Sequence, residues 1–148
     1  MKTNTIVTDI THENLVNLFS TSTYGSNWLM IRSHRRDYYG TPLEDDNDCR
    51  EDKWAKILLN GGSVEAFDYY AEGESYGDLP HKIEEDDDEC VHYTVTLKDI
   101  EKGIAKCIDL GGWEAECARH LISEPEQMDI TEAEAIMQVI VFGEVIYG

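Results

Sequence analysis

The side chains with the plainest capacity for chemistry are carboxylates. Glu84, Glu85, Asp86, Asp87, Asp88 and Glu89 form an unbroken run, and Glu44, Asp45, Asp46 and Asp48 form a second block. Carboxylates this dense can hold divalent cations, work as acid–base groups, or present a negative field to a basic partner. A dedicated Ca²⁺ or Mg²⁺ loop of the EF-hand kind needs Gly at its sixth position and Glu at its twelfth, and neither block has them. Diffuse cation association is the expectation, without a resident metal.

Cys90-x-His92 is the other chemical pair. On a strand, alternate residues share a face, so this spacing sets a thiol beside an imidazole. The pair suits tetrahedral zinc, with Cys49 and His81 as further candidate ligands, or a Cys–His nucleophile. No second closely spaced pair completes a zinc motif, so a zinc-stabilised domain is the alternative reading. Neighbouring carboxylates raise a thiol's pKa and weaken it as a nucleophile. Cys107 and Cys117 fall on the inner stripes of predicted helices and read as core residues.

The chain has no phosphate loop, no G-x-S-x-G and no H-E-x-x-H. Glu51-x-Lys53 has the spacing of an acidic–Lys nuclease pair, but it lies on a predicted helix without a partnering strand Asp. A surface this negative also repels phosphate. No catalytic residue and no cofactor are expected.

The third use of the carboxylates remains. The chain has 31 Asp and Glu against 12 Lys and Arg, a formal net charge of -19. Residues 44–89 hold 17 of those acids against Arg50, Lys53, Lys56 and Lys82, a net of -13. Packed like charges destabilise a compact state, so folding gains nothing from this concentration. Duplex DNA carries one charge per ~1.7 Å of axis, so nineteen charges match roughly 32 Å of duplex. A domain of this size, with a radius of gyration of about 15 Å, spans a similar length. The expected partner is a basic nucleic-acid-binding protein, with no direct nucleic acid and no membrane. Arg32, His34, Arg35 and Arg36 form the one basic cluster read from the sequence, and they are expected to neutralise the adjacent acidic block.

The elements that must position these residues follow from periodicity. Helices are predicted from about Thr11 to Phe19, capped by Thr11 or Asp9, and from the acidic block to Leu59, with Trp54, Ile57 and Leu58 inward and an Asp52–Lys56 pair. Trp28–Arg32, Ser63–Tyr70 and Val91–Leu97 read as strands, the last with Val91, Tyr93, Val95 and Leu97 on one face. A long acidic loop through Gly73, Gly77 and Pro80 precedes the run. The last third reads as helical: Leu97, Ile100, Ile104, Cys107 and Ile108 form one stripe, and Trp113, Cys117 and Leu121 another. A capping box at Thr131-x-x-Glu134 precedes Ile136–Phe142, apolar on nearly every side and expected to be the central buried helix. The expected fold is α+β, a small antiparallel sheet of about three strands covered by helices, in one domain over residues 1–148. No signal peptide or membrane-spanning run is visible, which predicts a cytoplasmic protein with its thiols reduced.

In size and charge, through the blocks Glu44–Asp52 and Glu84–Glu89, the chain resembles the small acidic proteins of phages and mobile elements that disarm bacterial defence nucleases, of the anti-CRISPR and anti-restriction kinds. Ser22-Thr23-Tyr24-Gly25 and the ending Phe142-Gly143-Glu144-Val145-Ile146-Tyr147-Gly148 look like segments of small phage-borne proteins. The resemblance implies a non-enzymatic inhibitor, in a bacterial cytoplasm, that binds the basic channel of an effector nuclease such as a CRISPR effector. Its rival is an acidic structural or regulatory interaction module of phage origin.

Overall fold

Alternating burial along two central strands sets the layers. In β2 (Ser63–Asp68), Val64, Ala66 and Asp68 are buried. Their partners across the ladder in β4 (Val91–Thr96) are Val95, Tyr93 and Val91, also buried. β1 (Leu29–Arg32) and β3 (His81–Glu84) flank this pair, giving the antiparallel order β1-β2-β4-β3. The computed structural model describes residues 5–70, the main chain of 81–84, and 91–147. β1, β2 and β4 are the three strands expected from the sequence. β3 adds a short edge strand where an acidic loop was expected.

The helices are α1 (His12–Thr23), α2 (Arg50–Leu59), α3 (Leu97–Leu110), α4 (Gly112–Ser123) and α5 (Ile130–Phe142). α1 starts at Thr11, whose hydroxyl accepts from the Asn14 N–H at 3.0 Å while the Asn14 side chain accepts from the Thr11 N–H at 3.0 Å. These bonds satisfy two donors that a helix start otherwise leaves open. Leu15, Leu18, Phe19 and Ser22 follow on the buried face, and Phe19 meets Trp54 of α2 edge-on, centroids 5.6 Å apart. The fold is α+β, as the sequence predicts.

α5 is the centre. Every residue from Ala135 to Phe142 is buried, between α1, α3 and α4. α3 reaches it through Gly103: a methyl group there would stand 2.3 Å from Ile140 Cγ1 and 2.7 Å from Ile140 Cα. α5 stops at Gly143, whose φ of 84° is the left-handed cap that glycine adopts without strain. The chain then folds back. Gln138 Oε1 accepts from the N–H groups of Ile146 at 2.9 Å and Tyr147 at 2.7 Å. The Tyr147 hydroxyl donates to the buried Asp68 at 2.7 Å, and its ring packs on Trp28 and Phe142.

Several boundaries differ from the sequence reading for local reasons. α2 begins at Arg50, after the acidic block, because Asp48 bonds to Lys56 and Tyr38 instead of the helix start. Lys56 therefore pairs with Asp48, and Asp52 pairs with His12 at 2.8 Å. The α5 capping box is Asp129 with Glu132, two residues before the expected Thr131–Glu134. Trp113 is 45 % exposed, not on an inner stripe, because α4 starts only at Gly112 and buries Cys117, Ala118 and Leu121. Ile108 likewise lies towards solvent. Among the described residues no helix is long and apolar enough to cross a membrane.

Candidate functional site

The first acidic block sits on a loop that its own side chains organise. Tyr38 is buried and forms the post. Its hydroxyl lies 2.8 Å from Asp48 Oδ2 and 2.9 Å from the Asp45 carbonyl, and accepts from the Asp45 N–H at 2.8 Å. Glu44 accepts from the Gly40 N–H at 2.9 Å, and Asp45 Oδ1 accepts from the Asn47 N–H at 2.9 Å. Lys56 Nζ donates to Asp48 Oδ2 at 2.6 Å and to the Leu43 carbonyl at 3.2 Å. That ammonium, bonded to the carboxylate, holds Asp48 below the usual carboxylate range, with the Tyr38 hydroxyl helping and burial opposing. In return Asp48 raises Lys56, and burial raises Tyr38.

The four acids thus divide. Glu44, Asp45 and Asp46 are exposed. Asp48, at 11 % side-chain exposure, is a structural tie.

Glu84 ends β3, its main chain paired with Val91. Glu85, Asp86, Asp87, Asp88, Glu89 and Cys90 lie outside the described residues. The register fixes where the strands next to the two blocks end. The chain leaves β1 towards the first block at Arg32, level with Glu65, whereas Glu84 and Val91 are level with Asp68 and Leu29 at the other end. Glu84 and Val91, which flank the rest of the second block in sequence, therefore stand at the end of the sheet opposite to Arg32 and Glu65.

Of the candidate metal ligands, Cys90 lies outside the described residues and only the main chain of His81 is described. His92 lies on the expected face of β4, yet it is buried, its ring edge-on to Phe67 at 4.8 Å. Cys49 is exposed at the start of α2. Among the described residues no three His, Cys, Asp or Glu side chains converge to hold a metal ion. Cys49 instead joins a short chain: its thiol donates to Asp52 Oδ2 at 3.2 Å, and Asp52 Oδ1 meets His12 Nε2 at 2.8 Å. The His12 bond is the main reason that Asp52 lies below its ordinary value. An Asp52 backbone bond pulls the Cys49 thiol down, but burial and the Asp52 and Glu51 side chains outweigh it, so the thiol sits above its ordinary value. The carboxylate lies between thiol and imidazole and the two do not meet, so this geometry supplies no thiolate. Burial pushes Cys107 and Cys117 up to about 12.

Alkylation follows from this. Iodoacetamide at neutral pH should modify Cys49 slowly and leave Cys107 and Cys117 unmodified until the protein is denatured, as peptide mass mapping will read. Modification of Cys107 in the folded protein would contradict the burial described.

Among the described residues, no ion pair joins the cluster at 32–36 to the block Glu44–Asp48. Arg32 lies over Phe67 at 5.4 Å, Arg35 over Tyr39 at 4.5 Å, and His34 approaches Glu65 at 3.5 Å. Lys53 donates to the Tyr39 hydroxyl at 2.7 Å. Arg32 and Arg35 are held by aromatic faces. Sequence reading also passed over two groups. Lys98, Lys102 and Lys106 stand at i, i+4, i+8 along α3, a spacing visible in the sequence. The buried Glu132 meets His120 Nδ1 at 2.6 Å, while His120 Nε2 faces Glu116 at 3.4 Å. That imidazole has carboxylates on both sides, and ties α4 to α5. No protein-family model matches the chain, and neither a curated protein nor a solved structure is similar to it.

Proposed function

We propose that the protein is a non-enzymatic inhibitor that binds the basic nucleic-acid channel of a defence nuclease, an RNA-guided effector before a restriction enzyme, and excludes DNA from it. The observation that carries this reading is the net -13 of residues 44–89. The exposure of Glu44, Asp45 and Asp46 on a loop braced from within supports it. Carboxylates fixed before binding lose less conformational freedom on docking than a floppy acidic tail. Such channels are lined with Lys and Arg that track a phosphate backbone, and the match of charge sets the on-rate and its salt dependence.

The test is DNA binding and cleavage by a panel of CRISPR effectors and restriction enzymes, with and without this protein. Inhibition is expected, weakening steeply with salt. Reversing charge at Asp46, Glu85, Asp86, Asp87 and Asp88 should raise the inhibitory concentration by about tenfold or more. Neutralising the exposed Glu13, Glu126 and Glu144 should change it little. Unchanged nuclease activity across a panel that includes the host's own systems would sink the reading and leave the charge to solubility.

A further inference from the structure

The lysines of α3 line a cleft that the acidic surface does not explain. One wall is the segment before α1, with Ile6 and Val7. The other is α3, with Ala105 at the floor and Lys98, Lys102 and Lys106 along the rim. The space measures about 460 Å³, within the ~300–1,000 Å³ usual for small-molecule sites. The outer wall is fastened: the Thr5 N–H donates to both Asp109 carboxylate oxygens, at 3.3 and 3.2 Å, and its hydroxyl donates to Oδ1 as well. Asp9, with φ of 62°, turns the chain from this wall into α1 in a backbone conformation that non-glycine residues seldom adopt. The lining sets three ammonium groups, of Lys98, Lys102 and Lys106, against the two carboxylates of Glu101 and Asp109, an excess of one positive charge.

On a chain of net charge -19 this is a positively rimmed, apolar-floored recess. We propose that it binds a small anionic amphiphile, an aliphatic chain ending in a carboxylate. The chain would lie against Ile6, Val7 and Ala105. The headgroup would meet Lys102 and Lys106, whose stems cover the apolar floor while the ammonium groups remain in water. A headgroup at exposed lysines gains modest Coulomb energy, so the apolar floor supplies affinity and the rim selects the sign of charge. The inference is independent of the nuclease reading, because none of these residues belongs to the acidic blocks.

Decanoate is the probe, titrated below its micelle concentration and followed by amide chemical shifts and calorimetry. Saturable binding at one site is expected, with the largest shifts at Val7, Lys102 and Ala105. Lys102→Glu with Lys106→Glu should weaken it by about fivefold to tenfold. Both side chains are exposed, so the fold should persist, as circular dichroism will show. Ala105→Leu, which fills the floor, should abolish binding, and decyltrimethylammonium should not bind the site. Equal decanoate affinity in the lysine variant, equal binding of the cationic amphiphile, or shifts elsewhere would overturn the proposal. Binding of oligoglutamate to these lysines without decanoate binding would also overturn it, and would assign the stripe to an acidic protein segment.

Discussion

Replacing Gly103 with alanine should lower stability by about 2 kcal/mol, and with valine by more. In most helix interiors the alanine change gains up to about 1 kcal/mol, because glycine is a poor helix former. Here the added carbon would overlap Ile140 at both Cγ1 and Cα. The first clash can be relieved by a rotamer change, but the second is with main chain and requires α3 and α5 to separate. Because α5 also packs against α1 and α4, the separation disturbs the whole centre. A fall in Tm of roughly 5–8 °C is expected for alanine. Gly103→Ala combined with Ile140→Ala should not recover it, since the clash with the Ile140 main chain persists and a cavity is added. An alanine variant as stable as the original chain would mean that the helices do not approach this closely.

The second large effect separates two neighbouring acids that composition cannot tell apart. Asp48→Ala leaves Lys56 and the buried Tyr38 hydroxyl without their shared acceptor. Tm should drop on the order of 5 °C, and the loop holding Glu44 to Asp46 should loosen. Asp46→Ala removes a charge from an exposed position and should leave Tm unchanged or slightly raised by relief of repulsion. The pH dependence has a definite sign. Asp48 is more acidic folded than unfolded, chiefly through Lys56. Its contribution is therefore complete above the unfolded aspartate value, about 3.9, and is lost as pH falls through the lower folded value. Asp52, depressed chiefly by its bond to His12, behaves in the same sense. Melting curves between pH 6 and 3 should fall less steeply for the Asp48 variant than for the original chain. Parallel curves would show that Asp48 is not tied to Lys56 in solution.

Local signals read well from the sequence where one periodicity or one cap had no competitor. The alternation Val91, Tyr93, Val95 placed β4, the stripe of Leu15, Leu18 and Phe19 placed α1, and a stretch apolar at every position from Ile136 to Phe142 but Gln138 placed α5 at the centre. Readings slipped where two local solutions had the same chemistry. Asp129-x-x-Glu132 and Thr131-x-x-Glu134 are overlapping capping boxes, and which one forms depends on the short turn at Pro125–Gln127 that delivers the chain. Asp48 could satisfy a helix start or a lysine, and only the tertiary position of Tyr38 decides. The candidate site was legible as charge but not as geometry. Spacing does not reveal that Asp48 is consumed internally by Lys56 and Tyr38. The lysine stripe of α3 was readable at i, i+4, i+8, but the N-terminal wall that makes it a cleft comes from a segment about a hundred residues away.

The central position of α5 has a temporal consequence. It follows α1, α3 and α4 in sequence, yet all three turn their apolar faces towards it. A chain made from its N-terminus at about 5–20 residues per second presents those faces before their common partner exists. The β2–β4 ladder and the α1–α2 packing use only earlier residues and can form in the growing chain. Closure waits for Ile130–Phe142, and the final clasp of Tyr147 on Asp68 spans 79 residues. During that interval the nascent chain is open to capture by chaperones, and its surplus of carboxylates keeps neighbouring copies apart until the core can seal.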